Sequence, residues 1–166
     1  NTLAAFGHAL TIGVSTLELD TAVTKDGVVV VTHDSELNPD ITRDASGQWL
    51  KGAGPTMLSM AYVEIERYDV GRIRPGSPYG VRFKDQTPVD GQRIPRLSDV
   101  FALAKQRGNT QVRFNIETKL DPRKPAATPS AEAFAAAVVK EIRGAGMEKR
   151  STIQSFDWST LKVVKR

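Results

Sequence analysis

The sequence predicts an α/β fold built on a parallel sheet, and three observations carry that prediction. From residue 97 onward, apolar positions of helical spacing alternate with short strands across short links, as right-handed βαβ units require. The strand Gln111–Lys119 sets Val112, Phe114, Ile116 and Thr118 on one face, and Arg113, Asn115, Glu117 and Lys119 on the other. Helices cover both faces of an open doubly wound sheet, so a row of four polar residues fits better at the C-terminal rim inside an α/β barrel. An edge strand with one wet face is the plainer alternative. The third observation is length: 166 residues suffice for one domain, but a complete eight-stranded barrel usually takes about 250.

In chain order, Asn1 to Ile12 reads as a helix with Leu3, Ala4, Phe6, Ala9, Leu10 and Ile12 as its apolar set, stopped by Gly13. His8 lies on that helix, away from the strand ends, and reads as a surface or capping side chain. A strand from Thr16 follows, then a Lys25-Asp26-Gly27 turn, and Val28–Val31 as the return strand. Residues 35–95 change character. Gly, Pro and charged residues are frequent, and only Met60–Tyr68 looks helical. So long a stretch reads as an inserted lid or subdomain. Its aromatics, Trp49, Tyr62, Tyr68, Tyr79 and Phe83, read as packing. Regular elements resume with a helix over Leu97–Arg107, stopped by Gly108, and the strand Gln111–Lys119. Ser130 caps a helix from Ala131 to about Arg143, closed by Gly144-Ala-Gly146. Ser151–Ser155 is a further strand, and Asp157 caps a last helix running to the end of the chain.

Composition narrows the function classes. Apolar content of 40% and charged content of 25% are ordinary for a globular domain. The net charge of +4 is scattered, which gives no footprint for nucleic acid but suits an anionic small molecule. No cysteine is present, so thiol chemistry and Cys-based zinc sites are excluded. No apolar run is long enough for stable membrane insertion.

The stretch Thr16–Asp34 carries the chemistry. Glu18 and Asp20 share one face of a strand, Leu17 and Leu19 the other. Two acids side by side repel each other, and a hard divalent cation would relieve that repulsion. The return strand brings His33 near the same rim. Glu117 offers a third carboxylate for the cation, and Lys119 a point charge for an anion such as phosphate. Metal, lysine and histidine together suit phosphate-ester hydrolysis, the imidazole protonating a leaving alkoxide.

The runs Asn1-Thr-Leu-Ala-Ala-Phe6, Leu17-Glu-Leu-Asp20, Thr24-Lys-Asp-Gly27, Val30-Val-Thr-His-Asp34, Ile94-Pro-Arg-Leu97 and Asn115-Ile-Glu-Thr-Lys119 resemble the glycerophosphodiester phosphodiesterase family. Ser155-Phe156 resembles the family's next strand end. The resemblance implies a (β/α)8 TIM barrel, incomplete over residues 1–166, with its first and last strands absent. It also implies an insertion, residues 35–95, after the second barrel strand, the one ending in His33-Asp34. By resemblance, Glu18, Asp20 and Glu117 are metal ligands for one Mg2+ or Ca2+, His33 is the general acid-base residue and Lys119 contacts phosphate. The implied reaction splits a glycerophosphodiester, a small-molecule substrate, into an alcohol and sn-glycerol 3-phosphate. The family's strand ending in His-Arg-Gly, and the Glu that precedes Asn-Thr, would lie upstream of Asn1. The first of these holds the partner of His33 in the acid-base pair. The expectation is that this segment alone is inactive and prone to aggregate. Other readings are a phospholipase D-like barrel acting on choline phospholipids, or a barrel that binds a phosphorylated ligand without turnover. The family and the absent cysteines favour a periplasmic or secreted location over a cytoplasmic one.

Overall fold

The computed structural model describes residues 1–165. Its frame is a four-stranded sheet in the order β2-β1-β3-β4, with β1 at Thr16–Val23, β2 at Val29–Val31, β3 at Arg113–Thr118 and β4 at Ser151–Gln154. β1, β3 and β4 run parallel, while β2 pairs antiparallel with β1. The reversal comes from Lys25-Asp26-Gly27. Gly27 sits at φ +80°, and its amide donates to Thr24 O at 3.0 Å. The parallel sheet expected from sequence is therefore parallel in three strands, with a hairpin strand at one edge.

Alternation along the strands sorts the two faces. Leu17 and Leu19 of β1 and Phe114 and Ile116 of β3 are buried in one cluster with Phe6 and Leu10, Val100 and Phe101, and Phe134 and Val138. These come from α1 (Leu3–Ile12), then, past the insertion, the helix Leu97–Gln106, and last the helix Ala131–Gly144. Phe101 meets Phe114 edge to face at 4.9 Å between ring centres. Helix ends follow their signals. Thr2 accepts from Ala5 N, Gly13 takes the left-handed conformation at φ +88°, and Ser130 accepts from Ala133 N.

Residues 35–95 form a second, smaller cluster. Leu37, Met57, Met60, Ile65 and Ile94 bury against Ala22 and Val30, on the opposite sheet face from Leu19. Within this segment α2 spans only Tyr62–Ile65, shorter than the sequence suggests, and α3 spans Pro78–Arg82. Glu64 Oε2 accepts from Ala61 N at 2.8 Å and fixes the start of α2. Its end comes where Asp69 leaves to bridge Arg43, each backbone amide donating to the other's carbonyl at 2.9 Å. The Arg43 guanidinium also binds Asp69 and Asp90, both at 2.6 Å. Gly71 is required here, since a Cβ would lie 1.8 Å from Val89 O.

The remaining α-helices are α4 (Leu97–Gln106), α5 (Ala131–Gly144) and α6 (Trp158–Val164), the last capped by Asp157 accepting from Ser159 N. The sequence extends this helix to the chain end, but Arg166 lies outside the described residues. Among the described residues no helix is long and apolar enough to cross a membrane.

Candidate metal centre and phosphate site

Register decides which polar residues meet. β1 and β3 pair so that Glu18 stands opposite Asn115 and Asp20 opposite Glu117, and β4 adds Gln154 opposite Glu117. All five side chains lie on the sheet face opposite the one that buries Leu17, Leu19, Phe114 and Ile116, in two adjacent rows. Glu18, Asp20 and Glu117 converge there, with one oxygen from each lying within 4.8 Å of the others. Asp20 and Glu117 are buried, while Glu18 is exposed. Such a set of carboxylate oxygens fits a hard divalent cation.

Hydrogen bonds hold the carboxylates in place. Asn1 Nδ2 donates to Asp20 Oδ2 at 2.9 Å, and Asp20 N donates to Asn1 Oδ1 at 3.3 Å. Lys119 Nζ lies 3.0 Å from Glu117 Oε1 and 3.4 Å from Asp20 Oδ1. Gln154 Nε2 donates to Glu117 Oε2 at 3.2 Å and to Glu18 Oε1 at 3.4 Å. Partial burial, and then the charges of Asp20 and Glu117, push the Glu18 carboxyl above its ordinary value, with Lys119 pulling the other way. Burial pulls the Lys119 ammonium down. The hydrogen bond to Glu117 and the charges of Asp20 and Glu117 outweigh it and raise the group above its ordinary value.

A cavity of about 510 Å³ opens beside this cluster, and His33, Asp34, Glu117, Lys119, Arg123 and Phe156 are on its wall. The structure thus gathers Glu18, Asp20, Glu117 and Lys119 into one contact set. His33 shares a cavity with two of them and is bonded to none. Its Nδ1 lies 3.0 Å from Asp34 Oδ1, and its side chain is 57% exposed. With Nδ1 turned to the carboxylate, Nε2 is the nitrogen left to act in the cavity. His8 is exposed on α1, as its place in the sequence suggests.

Two contributors were not singled out in the sequence. Gln154 ends a four-residue strand with no acid in it, and only the parallel register places it against Glu117. Tyr79, read as packing, lies with His33 and Asp34 on the wall of a second cavity of about 180 Å³. Burial, then the Asp34 charge, raises its phenol above the ordinary value. Its helix, Pro78–Arg82, is absent from the sequence expectation, although Ser77 accepts from Gly80 N and Pro78 stands in the first turn, and nothing local points to its place beside His33.

The model of the Glycerophosphoryl diester phosphodiesterase family matches residues 1–166. The glycerophosphodiester phosphodiesterase of Caldanaerobacter subterraneus subsp. tengcongensis is 31% identical over 166 residues, covering 100% of this chain and 56% of that relative. Lysophospholipase D GDPD1 of Homo sapiens is 35% identical over 119 residues, 70% of this chain and 32% of the relative. A crystal structure from Silicibacter pomeroyi DSS-3, of a candidate glycerophosphoryl diester phosphodiesterase, matches with a TM-score of 0.92 at 38% identity. That match covers 100% of this chain and 56% of the other, so the chain spans about half the length of these fully overlapping relatives. With the family match unbroken from residue 1 to residue 166, the chain belongs to the glycerophosphoryl diester phosphodiesterase family.

Proposed function

We propose that the full-length protein hydrolyses glycerophosphodiesters to an alcohol and sn-glycerol 3-phosphate, and that these residues form part of a (β/α)8 barrel carrying the metal and phosphate side of its site. The observation that carries this reading is the convergence of Glu18, Asp20 and Glu117 on one rim, with Lys119 in contact with two of them. Three carboxylates and one ammonium leave a formal charge of −2, which one Mg2+ or Ca2+ balances. Glu18, Asp20 and Glu117 would hold that cation, which supplies Lewis-acid polarisation of a phosphoryl oxygen when bound. Charge balance then frees Lys119 to turn from the acids toward a phosphate oxygen in the adjoining cavity and to offset charge there. His33, steadied through Nδ1 by Asp34, holds a proton at Nε2 for the leaving alkoxide. The partner histidine of the acid-base pair comes from outside these residues. The segment 35–95, packed against Ala22 and Val30 on the same sheet face as the acids, serves as a lid beside the site.

One observation favours a second reading, turnover of a choline phospholipid. The human relative that matches 70% of the chain carries the name lysophospholipase D. Both readings are tested by incubating the full-length protein with glycerophosphocholine or with lysophosphatidylcholine and following products by phosphorus NMR. The first reading predicts sn-glycerol 3-phosphate from glycerophosphocholine. Turnover of lysophosphatidylcholine alone would replace it with the second.

A further inference from the structure

The Asn1 side chain is neutral but holds Asp20 alone, and Lys119 spans Asp20 and Glu117 but is charged; Gln154 combines a neutral side chain with contacts to two carboxylates from two strands. Its Nε2 donates to Glu117 Oε2 on β3 at 3.2 Å and to Glu18 Oε1 on β1 at 3.4 Å. Its own Oε1 accepts from Asn115 Nδ2 at 2.9 Å. The orientation of a side-chain amide is decided by its hydrogen-bond network. If the Gln154 amide were reversed, its oxygen would face two carboxylates, acceptor against acceptor. Only one orientation satisfies the network, and Asn115, one row back, supplies the donor that secures it.

The three carboxylates are not supported equally. Asp20 is held by Asn1 and Lys119, and Glu117 by Lys119 and Gln154. Glu18 is the most exposed of the three, and among the described residues its side chain has one hydrogen-bond partner, Gln154. That bond occupies Oε1 and leaves Oε2 for a ligand. A lysine in this place would also orient Glu18, but its charge would compete with a cation. A neutral donor fixes the carboxylate without that competition. Hydrogen bonds of this kind to metal-ligating groups are worth about 10–100-fold in metal affinity.

We propose that Gln154 is a positioning residue of the cation site, holding Glu18 and Glu117 in the arrangement that takes a divalent cation, with Asn115 fixing its amide. This rests on the metal reading of the acid cluster. The test is titration of the full-length protein with Mn2+, free Mn2+ being read by its electron paramagnetic resonance signal, for wild type, Gln154→Met and Asn115→Leu. Methionine keeps the length of glutamine and removes the donor. Gln154→Met should bind Mn2+ about 10–100-fold more weakly, measured at a temperature where both proteins are fully folded in EDTA. Asn115→Leu should show a smaller loss in the same direction. Saturating cation should return kcat toward the wild-type value, because Gln154 acts through the ligands and not on the substrate. Wild-type Mn2+ affinity in Gln154→Met overturns the proposal while leaving the metal site standing. If Gln154→Met does not fold, wild-type affinity in Asn115→Leu overturns it instead. Failure of the wild-type protein to bind Mn2+ overturns the metal reading itself, and this proposal with it.

Discussion

Lys119, one residue past the end of β3, places its Nζ 3.0 Å from Glu117 Oε1, so the acid cluster carries its own counter-charge. The Lys119 ammonium is burdened by burial but raised overall by Glu117 and Asp20. A group raised in the folded state contributes stability that is fully present below its unfolded value and lost as pH rises through the folded one. Lys119→Met should therefore lower the melting temperature in EDTA at pH 7, and the difference should shrink as pH climbs past 10.5, the ordinary lysine value. In the full-length enzyme the same change should reduce kcat by about 10²–10³, the loss seen when a group that offsets developing charge is removed.

Glu18 should show opposite effects on stability and binding. Its carboxyl is raised in the fold by partial burial, then by Asp20 and Glu117, so its charged form is a penalty at neutral pH in the absence of a cation. That penalty fades as pH falls through the folded value toward 4.5, the ordinary glutamate value. Glu18→Gln should melt higher than wild type in EDTA at pH 7 and lose the melting gain that Mg2+ or Ca2+ gives the wild type. Melting curves with and without the cation check both halves.

His33 bonds to none of the three acids, so its role separates cleanly from theirs. His33→Ala should lower turnover by about 10²–10⁴, as loss of a general acid does, while cation affinity stays at the wild-type value. Asp34→Asn keeps the ring but weakens its anchor, and should cost less. An unchanged rate in His33→Ala would remove the acid-base role.

Much of this site was legible in the sequence because it sits on alternating strands. Leu17, Glu18, Leu19 and Asp20, and Phe114 through Glu117, declare two faces by period alone, and the structure sorts them to those faces. Ser130 and Asp157 announced helix starts through local chemistry, and both cap as expected. Register between strands is not local. Gln154 acquires its importance only by standing opposite Glu117, and nothing in Ser151–Gln154 announces that. The insertion was least legible for the same reason. Its ties join Arg43 to Asp69 and Asp90, 26 and 47 residues away, and α3 has a glycine at its centre.

The tie at Arg43 gives a stability prediction. Burial pushes the Asp69 carboxyl up, but the amides of Gly71 and Gly91 and the Arg43 charge together outweigh it and hold the group below its ordinary value. A depressed carboxyl contributes stability that is present above its unfolded value and lost as pH falls through the folded one. Asp69→Asn should cost about 1–3 kcal/mol at pH 7, the range for leaving such partners unmatched. The deficit should narrow as pH drops below 3.8, the ordinary aspartate value, in denaturant unfolding followed across pH.

The most direct test is the rate of sn-glycerol 3-phosphate release from glycerophosphocholine by the full-length protein, measured in EDTA and again after Mg2+ or Ca2+ is restored. Glu117→Gln is carried beside the wild type. A rate that vanishes in EDTA, returns with the cation and stays absent in Glu117→Gln is the predicted result. Release that continues in EDTA, or that survives Glu117→Gln at the wild-type rate, would contradict a cation held by Glu18, Asp20 and Glu117.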